Sequence, residues 1–387
     1  MTRYIQTFQD FVSKEALSGI LLFIATLLAV LVANSPLSQT YFDLWNMPLG
    51  VSLGEMNISM TLTYWIDDGL MALFFLMVGL EIKREMLIGE LSSVQKASFP
   101  VVAALGGMLV PAAVYVSLNS GNPLGFGIPM ATDIAFALGI LMLLGKRVNP
   151  ALKLFLVALA VVDDLGAVLV VATVYTNEIH TMYFLHAALV YALIWILNLK
   201  GVKSLWPYMI LGIALWVYIH AIGIHATIAG VLLAFAIPIS SKIEEQDFID
   251  SSKKAIDEFE KNVDEIPILN HHQIDALETV AYGYDKVQNP LVKLEHHLHG
   301  FSAFFIMPLF AFSNAGVLID FGGVSANMAI VMGVILGLIV GKPLGIFGFT
   351  WIATKAGLIK KPDNITWNEI LAVGFLGGIG FTMSIFI

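Results

Sequence analysis

Apolar residues in this chain come in runs long enough to cross a bilayer, separated by short polar breaks. An α-helix rises about 1.5 Å per residue, so roughly 20 apolar residues span a hydrocarbon core. Such runs lie near 16–34, 62–82, 98–118, 125–144, 151–175, 181–199, 205–221, 223–239, 299–317, 326–353 and 369–387, which predicts an all-α polytopic membrane protein of eleven spans. The stretch 41–61 differs: LGVSLGEMNISM alternates and places glycines at turn positions, so an extracellular β-hairpin is expected there. Residues 241–297 are polar, with Ile256, Phe259 and Val263 spaced for one amphipathic helix in a loop that is otherwise at best partly ordered. The expected organisation is eight spans over 1–239, an acidic cytoplasmic loop over 240–298 and three spans over 299–387.

The basic residues orient these spans. Arg3 and Lys14 precede the first, Lys83, Arg84 and Lys96 follow the second, and Lys146, Arg147 and Lys153 lie between the fourth and fifth. Lys200 and Lys203 follow the sixth, six lysines lie in the long loop, and Lys355, Lys360 and Lys361 follow the tenth. The alternate loops 35–61, 119–124, 176–180 and 318–325 hold no Lys or Arg, so the positive-inside rule predicts a cytoplasmic N-terminus. Lys342, inside the tenth span, is the exception. A cleavable leader is the competing reading of the first span, since Ala33, Asn34 and Ser35 resemble a small-residue cleavage site. The run exceeds a typical leader core and Pro36 would follow the cut, so the span is read as retained. Tyr4, Ile5, Phe8, Phe11 and Val12 share a helical face, which predicts a short helix on the cytoplasmic surface.

Composition agrees with the pattern: of 387 residues, 58% are hydrophobic and 13% charged, outside the range of soluble domains. Cysteine is absent, which excludes disulfides, thiolate catalysis and cysteine-ligated metal. The net charge of −9 belongs mainly to residues 241–297, with 13 Asp/Glu against 6 Lys, and points to no nucleic-acid partner.

Against this background the membrane-embedded polar residues stand out. In LFLVALAVVDDLGAVLVVATVY, 154–175, Asp163 and Asp164 lie about 15 Å from Lys153, near the midplane of a ~30 Å core. Together they cost on the order of 6 kcal/mol before partners are counted. Adjacent residues point about 100° apart on a helix, so one carboxylate can face a fixed partner while the other faces a water-filled cavity. Asp133, in GIPMATDIAFALGI, approaches the same depth. Pro129 removes a backbone donor and disfavours helix at Ile128, so the fourth span is expected to break before Thr132 and Asp133. Gly377, Gly378 and Gly380 mark the last span as a second candidate for interruption. Broken spans expose partial charges, and Asp133 can neutralise the positive ends. An Asp163–Lys342 pair that only fixes helix packing would still leave two of three carboxylates unpaired. An unpaired carboxylate in low dielectric binds a proton or a hard cation, and mutual exclusion at one site is the minimum device for exchange.

These residues lie in motifs that resemble the NhaA-type bacterial sodium/proton antiporters: DDGLMALFFLMVGLEIKRE (67–85), PMATDIAFALGIL (129–141), VALAVVDDLGAV (157–168), GIHATIAGV (223–231), LEHHLHGFSAFFIMPLFAFSNAGV (294–317), GKPLGI (341–346) and GGIGFTMSIFI (377–387). The resemblance implies inverted repeats with crossing, interrupted spans 4 and 11. It implies a secondary antiporter, not an enzyme, that exchanges cytoplasmic Na⁺ or Li⁺ for external protons, electrogenically and with activation at alkaline pH. On this analogy Asp163 and Asp164 bind Na⁺, Li⁺ or protons with Thr132 close by, while Asp133 and Lys342 compensate helix ends and couple proton transfer. A pH-sensing cluster comprises Glu81, Glu85, Glu295, His296 and His299, with His225 also implicated. The family also implies a bacterial inner-membrane location, no cofactor beyond the transported ions, and a homodimer formed through the 41–61 hairpin.

Simpler readings exist for several of these residues. Glu81 and Glu85 flank Lys83 and Arg84 as on a solvated helix end, histidines titrate near neutrality anywhere, and His225 fits a packing role. The family has a twelfth span, whereas this chain stops at Ile387 within its eleventh, which reads as a shortened C-terminus. An uncoupled cation channel is one alternative. Another, an intramembrane aspartyl protease using Asp133 and Asp164, leaves Asp163, Lys342 and the broken spans without a role.

Overall fold

The computed structural model describes residues 2–53, 56–176, 180–262, 268–319 and 327–387. Among the described residues, six helical segments are long and apolar enough to cross a membrane: Val94–Leu118, Pro123–Met142, Pro150–Val174, Thr181–Leu199, Leu205–Ile222 and Met328–Lys355. A seventh arises if Leu17–Ala33 and Ser38–Trp45, bent by 116°, count as one. The outward faces match a lipid solvent. Leu185, Leu189 and Leu193 all point away from the protein, which a water-soluble chain does not tolerate as a continuous surface.

In chain order, α1 is Thr2–Ala33 and α2 Ser38–Trp45, followed by strands β1 (Pro48–Leu53) and β2 (Met56–Thr61). Next come α3 (Leu62–Tyr64), a π turn at Trp65–Leu70, α4 (Met71–Ile88) and α5 (Val94–Leu118). A 3₁₀ segment, Pro123–Met130, precedes α6 (Ile134–Leu143), α7 (Pro150–Val174), α8 (Thr181–Leu199), α9 (Leu205–Ile222) and α10 (Ile228–Ala236). Then follow α11 (Glu245–Lys261), α12 (His271–Val287), α13 (Pro290–Phe301), a π turn at Ser302–Ile306 and α14 (Met307–Asn314). The chain closes with α15 (Met328–Leu336), a π turn at Gly337–Gly341, α16 (Lys342–Lys355), α17 (Trp367–Gly377) and α18 (Phe381–Phe386).

Three local expectations change. The hairpin is antiparallel but confined to 48–61, pairing Pro48 with Thr61, because Tyr41 and Trp45 bury themselves on α2 instead. The N-terminal surface helix is not separate, since α1 runs without a break to Ala33; the side chains of Tyr4, Ile5, Phe8, Phe11 and Val12 lie outside the described residues. The acidic loop carries two helices rather than one. Asn270 and Gln273 form a capping box that starts α12, and Phe248 of α11 packs against Gly283 of α12. Val263 lies outside the described residues.

One apolar body gathers Phe74, Phe75, Ile306 and Phe310 around α1, α4 and α14, and another gathers Phe99, Phe155, Leu156 and Ile346 around α5, α7 and α16. Without a hydrophobic force between helices in lipid, close backbone approach carries the packing. At the α5–α16 crossing, a Cβ on Gly106 would sit 2.1 Å from the Gly345 carbonyl oxygen, and one on Gly345 would sit 2.0 Å from that of Gly106. Lys342 begins α16, so this crossing also sets the position of the embedded lysine. Gly106→Val is therefore expected to cost about 1–3 kcal/mol or more by overpacking, read as a drop of the detergent unfolding midpoint; an unchanged midpoint would refute this account of the crossing.

Candidate functional site

Asn149 starts α7 by accepting the Ala151 amide at 3.0 Å, and the helix carries Asp163 and Asp164 to its centre, 2% and 1% exposed. Their surroundings differ, as the 100° step between neighbours requires. Asp163 Oδ2 accepts from Lys342 Nζ at 2.8 Å and lies 2.6 Å from Thr132 Oγ1. Thr132 Oγ1 is also 2.9 Å from the Gly377 carbonyl oxygen, so its single proton serves one acceptor at a time. Asp164 instead lines a cavity of about 420 Å³, shared with Glu81, Arg84, Asp133 and His299. Neither Asp164 oxygen has a hydrogen-bond partner among the described residues.

The two interrupted segments meet beside this pair. After the 3₁₀ segment the chain is extended at Ala131 and resumes helix at Ile134. The second segment breaks between Gly377 and Phe381, where Phe381 takes a φ of +24°, costly for a residue other than glycine. The Asp133 amide donates to Ile379 O at 2.7 Å. Its carboxylate accepts the Phe136 amide at 2.9 Å on Oδ1, and the Thr382 hydroxyl at 2.5 Å and amide at 3.2 Å on Oδ2. One carboxylate thus meets the N-terminal ends of both α6 and α18, where helix dipoles favour an anion. Lys342 Nζ also donates to the Met130 carbonyl, at the opposite, electronegative end of the break.

The remaining predicted residues separate into groups. Arg84 Nε reaches both Glu295 oxygens at 3.0 and 3.1 Å, and its Nη1 lies 2.9 Å from Glu85 Oε1. Glu81 and His299 line the cavity beside Arg84. Burial pushes the Glu295 carboxyl above its usual range, against the opposing pull of the Arg84 guanidinium. His296 is exposed and sits edge-on to His297, outside this network of contacts. His225 stands elsewhere: its Nδ1 is 3.9 Å from Asp68 Oδ1, roughly 20 Å along the helix from Glu81.

A family model described as Na+/H+ antiporter 1 matches residues 9–387. Two proteins of Aliarcobacter butzleri are similar over nearly all of the chain. Na(+)/H(+) antiporter NhaA 1 is 66% identical over 387 residues, 100% of this chain and 90% of that protein. Na(+)/H(+) antiporter NhaA 2 is 60% identical over 379, covering 98% and 87%. The Na(+)/H(+) antiporter NhaA of Wolinella succinogenes is 51% identical over 387, covering 98% and 84%. The chain belongs to this Na⁺/H⁺ antiporter family.

Within this family member, sequence reasoning passed over two features. Asp67 and Asp68 repeat the adjacent-acid pattern of Asp163 and Asp164 inside another apolar run, and that repetition was the available signal. Asp67 accepts from Asn314 Nδ2 at 2.7 Å, and Asp68 lies 3.6 Å from His220 Nδ1. Thr382, which completes the contacts of Asp133, has no signal beyond its place after a glycine run.

Lys342→Met would leave Asp163 as an unpaired buried charge and is expected to cost about 3–5 kcal/mol. Asp163→Asn/Lys342→Met leaves no such charge and should recover more than half of that loss in the detergent unfolding midpoint. Equal losses in single and double variants would count against an ion pair.

Proposed function

We propose that this antiporter exchanges cytoplasmic Na⁺ or Li⁺ for external protons at the Asp163–Asp164 pair, electrogenically and with activation at alkaline pH, in a bacterial inner membrane. The observation that carries the reading is Asp164: a desolvated carboxylate with both oxygens unpartnered among the described residues, bordering a cavity. Such a group has two ways to offset its burial, a proton or a hard cation with an affinity for oxygen, and one excludes the other.

On this reading Na⁺ arriving through the cavity displaces a proton from Asp164 and draws on Asp163, whose bond to Lys342 then loosens and frees the lysine to exchange its proton. Thr132 contributes a hydroxyl oxygen within reach of Asp163. The interrupted segments act as crossing half-helices of two inverted repeats, rocking around a fixed site, with Asp133 and Lys342 keeping their ends neutral. Protons displace the cation on the other side. The architecture that goes with this function has eleven spans and a cytoplasmic N-terminus, supported by the distribution of Lys and Arg. Glu81, Glu85, Glu295, His296 and His299 form the pH-responsive cytoplasmic group, with His225 acting from the far end. A homodimer through the 41–61 region is supported by the two-stranded sheet, which presents strand edges to which a second copy can add.

The test uses proteoliposomes holding an acid-inside pH gradient reported by a quenched amine dye. Dequenching on addition of Na⁺ or Li⁺ but not K⁺, absent in Asp164→Asn, is the expected result; Na⁺ flux without any pH change would instead identify an uncoupled conductance. Because H⁺ competes with Na⁺ at one carboxylate, half-saturating Na⁺ should fall about tenfold per unit rise in pH across the competitive range. Arg84 opposes the upward push on Glu295, so in Arg84→Gln the carboxyl ionises only at higher pH. If ionisation of the cluster activates transport, the activity–pH curve moves to alkaline values; a curve that stays put or moves to acid removes Glu295 from the response.

A further inference from the structure

The helix carrying Glu295 and His299 continues past Phe301 into the π turn Ser302–Ile306. A π turn shifts the register of the side chains that follow it, and such turns recur at functional sites. Ser302 is 2% exposed, lines the same cavity as Asp164, Glu81 and His299, and its Oγ has no hydrogen-bond partner among the described residues. Hydroxyls in membrane helices ordinarily return to a carbonyl three or four residues back. Thr26, Thr173 and Thr350 of this chain do so, to Leu22, Leu169 and Ile346. The Leu298 and His299 carbonyls accept the Ser302 amide, yet the hydroxyl makes no such return bond to either. A desolvated hydroxyl left without a partner is destabilising, so its retention calls for a ligand.

We propose that Ser302 is an oxygen ligand in a relay subsite for the monovalent cation, between the Glu81–Glu295–His299 group and Asp164. This inference rests on the antiport reading above. Ser302 lies one turn beyond His299, about 5 Å further along the helix, and both residues border the cavity. A hydroxyl presents lone pairs to a hard cation without adding charge. It offsets part of the dehydration of the ion as it passes between Glu81 and Asp164, and it does not hold the ion as a carboxylate would.

The experiment compares wild type, Ser302→Ala and Ser302→Thr in proteoliposomes across Na⁺ and Li⁺ titrations, with unfolding midpoints in detergent alongside. Ser302→Ala is expected to raise half-saturating Na⁺ roughly three- to tenfold, the scale of one polar contact, with maximal rate and pH of half-activation preserved and the midpoint equal to or above that of wild type. Ser302→Thr, which restores the hydroxyl, should stay within about twofold of wild type. Unchanged half-saturation in Ser302→Ala, in a preparation whose wild type exchanges Na⁺ for H⁺, overturns the subsite and leaves the antiport reading standing. Equal losses in Ala and Thr variants assign Ser302 to packing and also overturn it. A wild type that moves no protons removes the antiport reading and the subsite together.

Discussion

Hydrocarbon offers no hydrogen bonds, so every helix end placed within it must find its partners in the protein. Two helical segments of this chain are interrupted near Thr132 and near Gly378, and side chains meet the ends this creates. Asp133 takes amides from both α6 and α18, and Lys342 takes the carbonyl of Met130. The interruption and the embedded charges therefore support one another. Without the breaks, the Asp133 carboxyl would lose the amides it accepts from, and without Asp133 the Phe136 and Thr382 amides would lose their acceptor.

The same constraint explains the unequal neighbours Asp163 and Asp164. Lys342 is held at the α5–α16 crossing, where glycine meets glycine, and from there it reaches the Met130 carbonyl and Asp163 at once. Asp164 is turned by one residue's rotation toward the cavity and keeps no protein partner among the described residues. A pair that was fully satisfied would only fix packing. A half-satisfied pair leaves oxygen lone pairs without a protein partner, which is the observation on which the exchange proposed above rests.

Around this centre the protein arranges graded polarity. Arg84, which lines the cavity, pairs with both Glu85 and Glu295. The Asp67–Asp68 pair, tied to Asn314 and facing His220 and His225, lies at the other end of the same helix. The helical pair α11–α12 leads directly into α13, which carries Glu295 and His299, so the acidic loop is mechanically continuous with the network.

Much of this was legible in the chain alone, because burial in lipid makes apolar run length and rare embedded charges unusually informative. The helical class, the breaks near Pro129 and Gly377, and the Asp163–Lys342 pairing could all be anticipated from residue types and a 1.5 Å rise. Other features needed the folded arrangement. The hairpin shrank to 48–61 because aromatic packing took Tyr41 and Trp45 onto α2, whereas the second helix of the acidic loop had a local signal in the Asn270–Gln273 capping spacing. That His225 and Glu81 lie far apart, and that Ser302 faces the same cavity as Asp164, is set by which helices neighbour one another and by a π turn's register shift. Helix rotation and adjacency follow from contacts between distant segments, and those contacts leave no periodic trace in a single sequence.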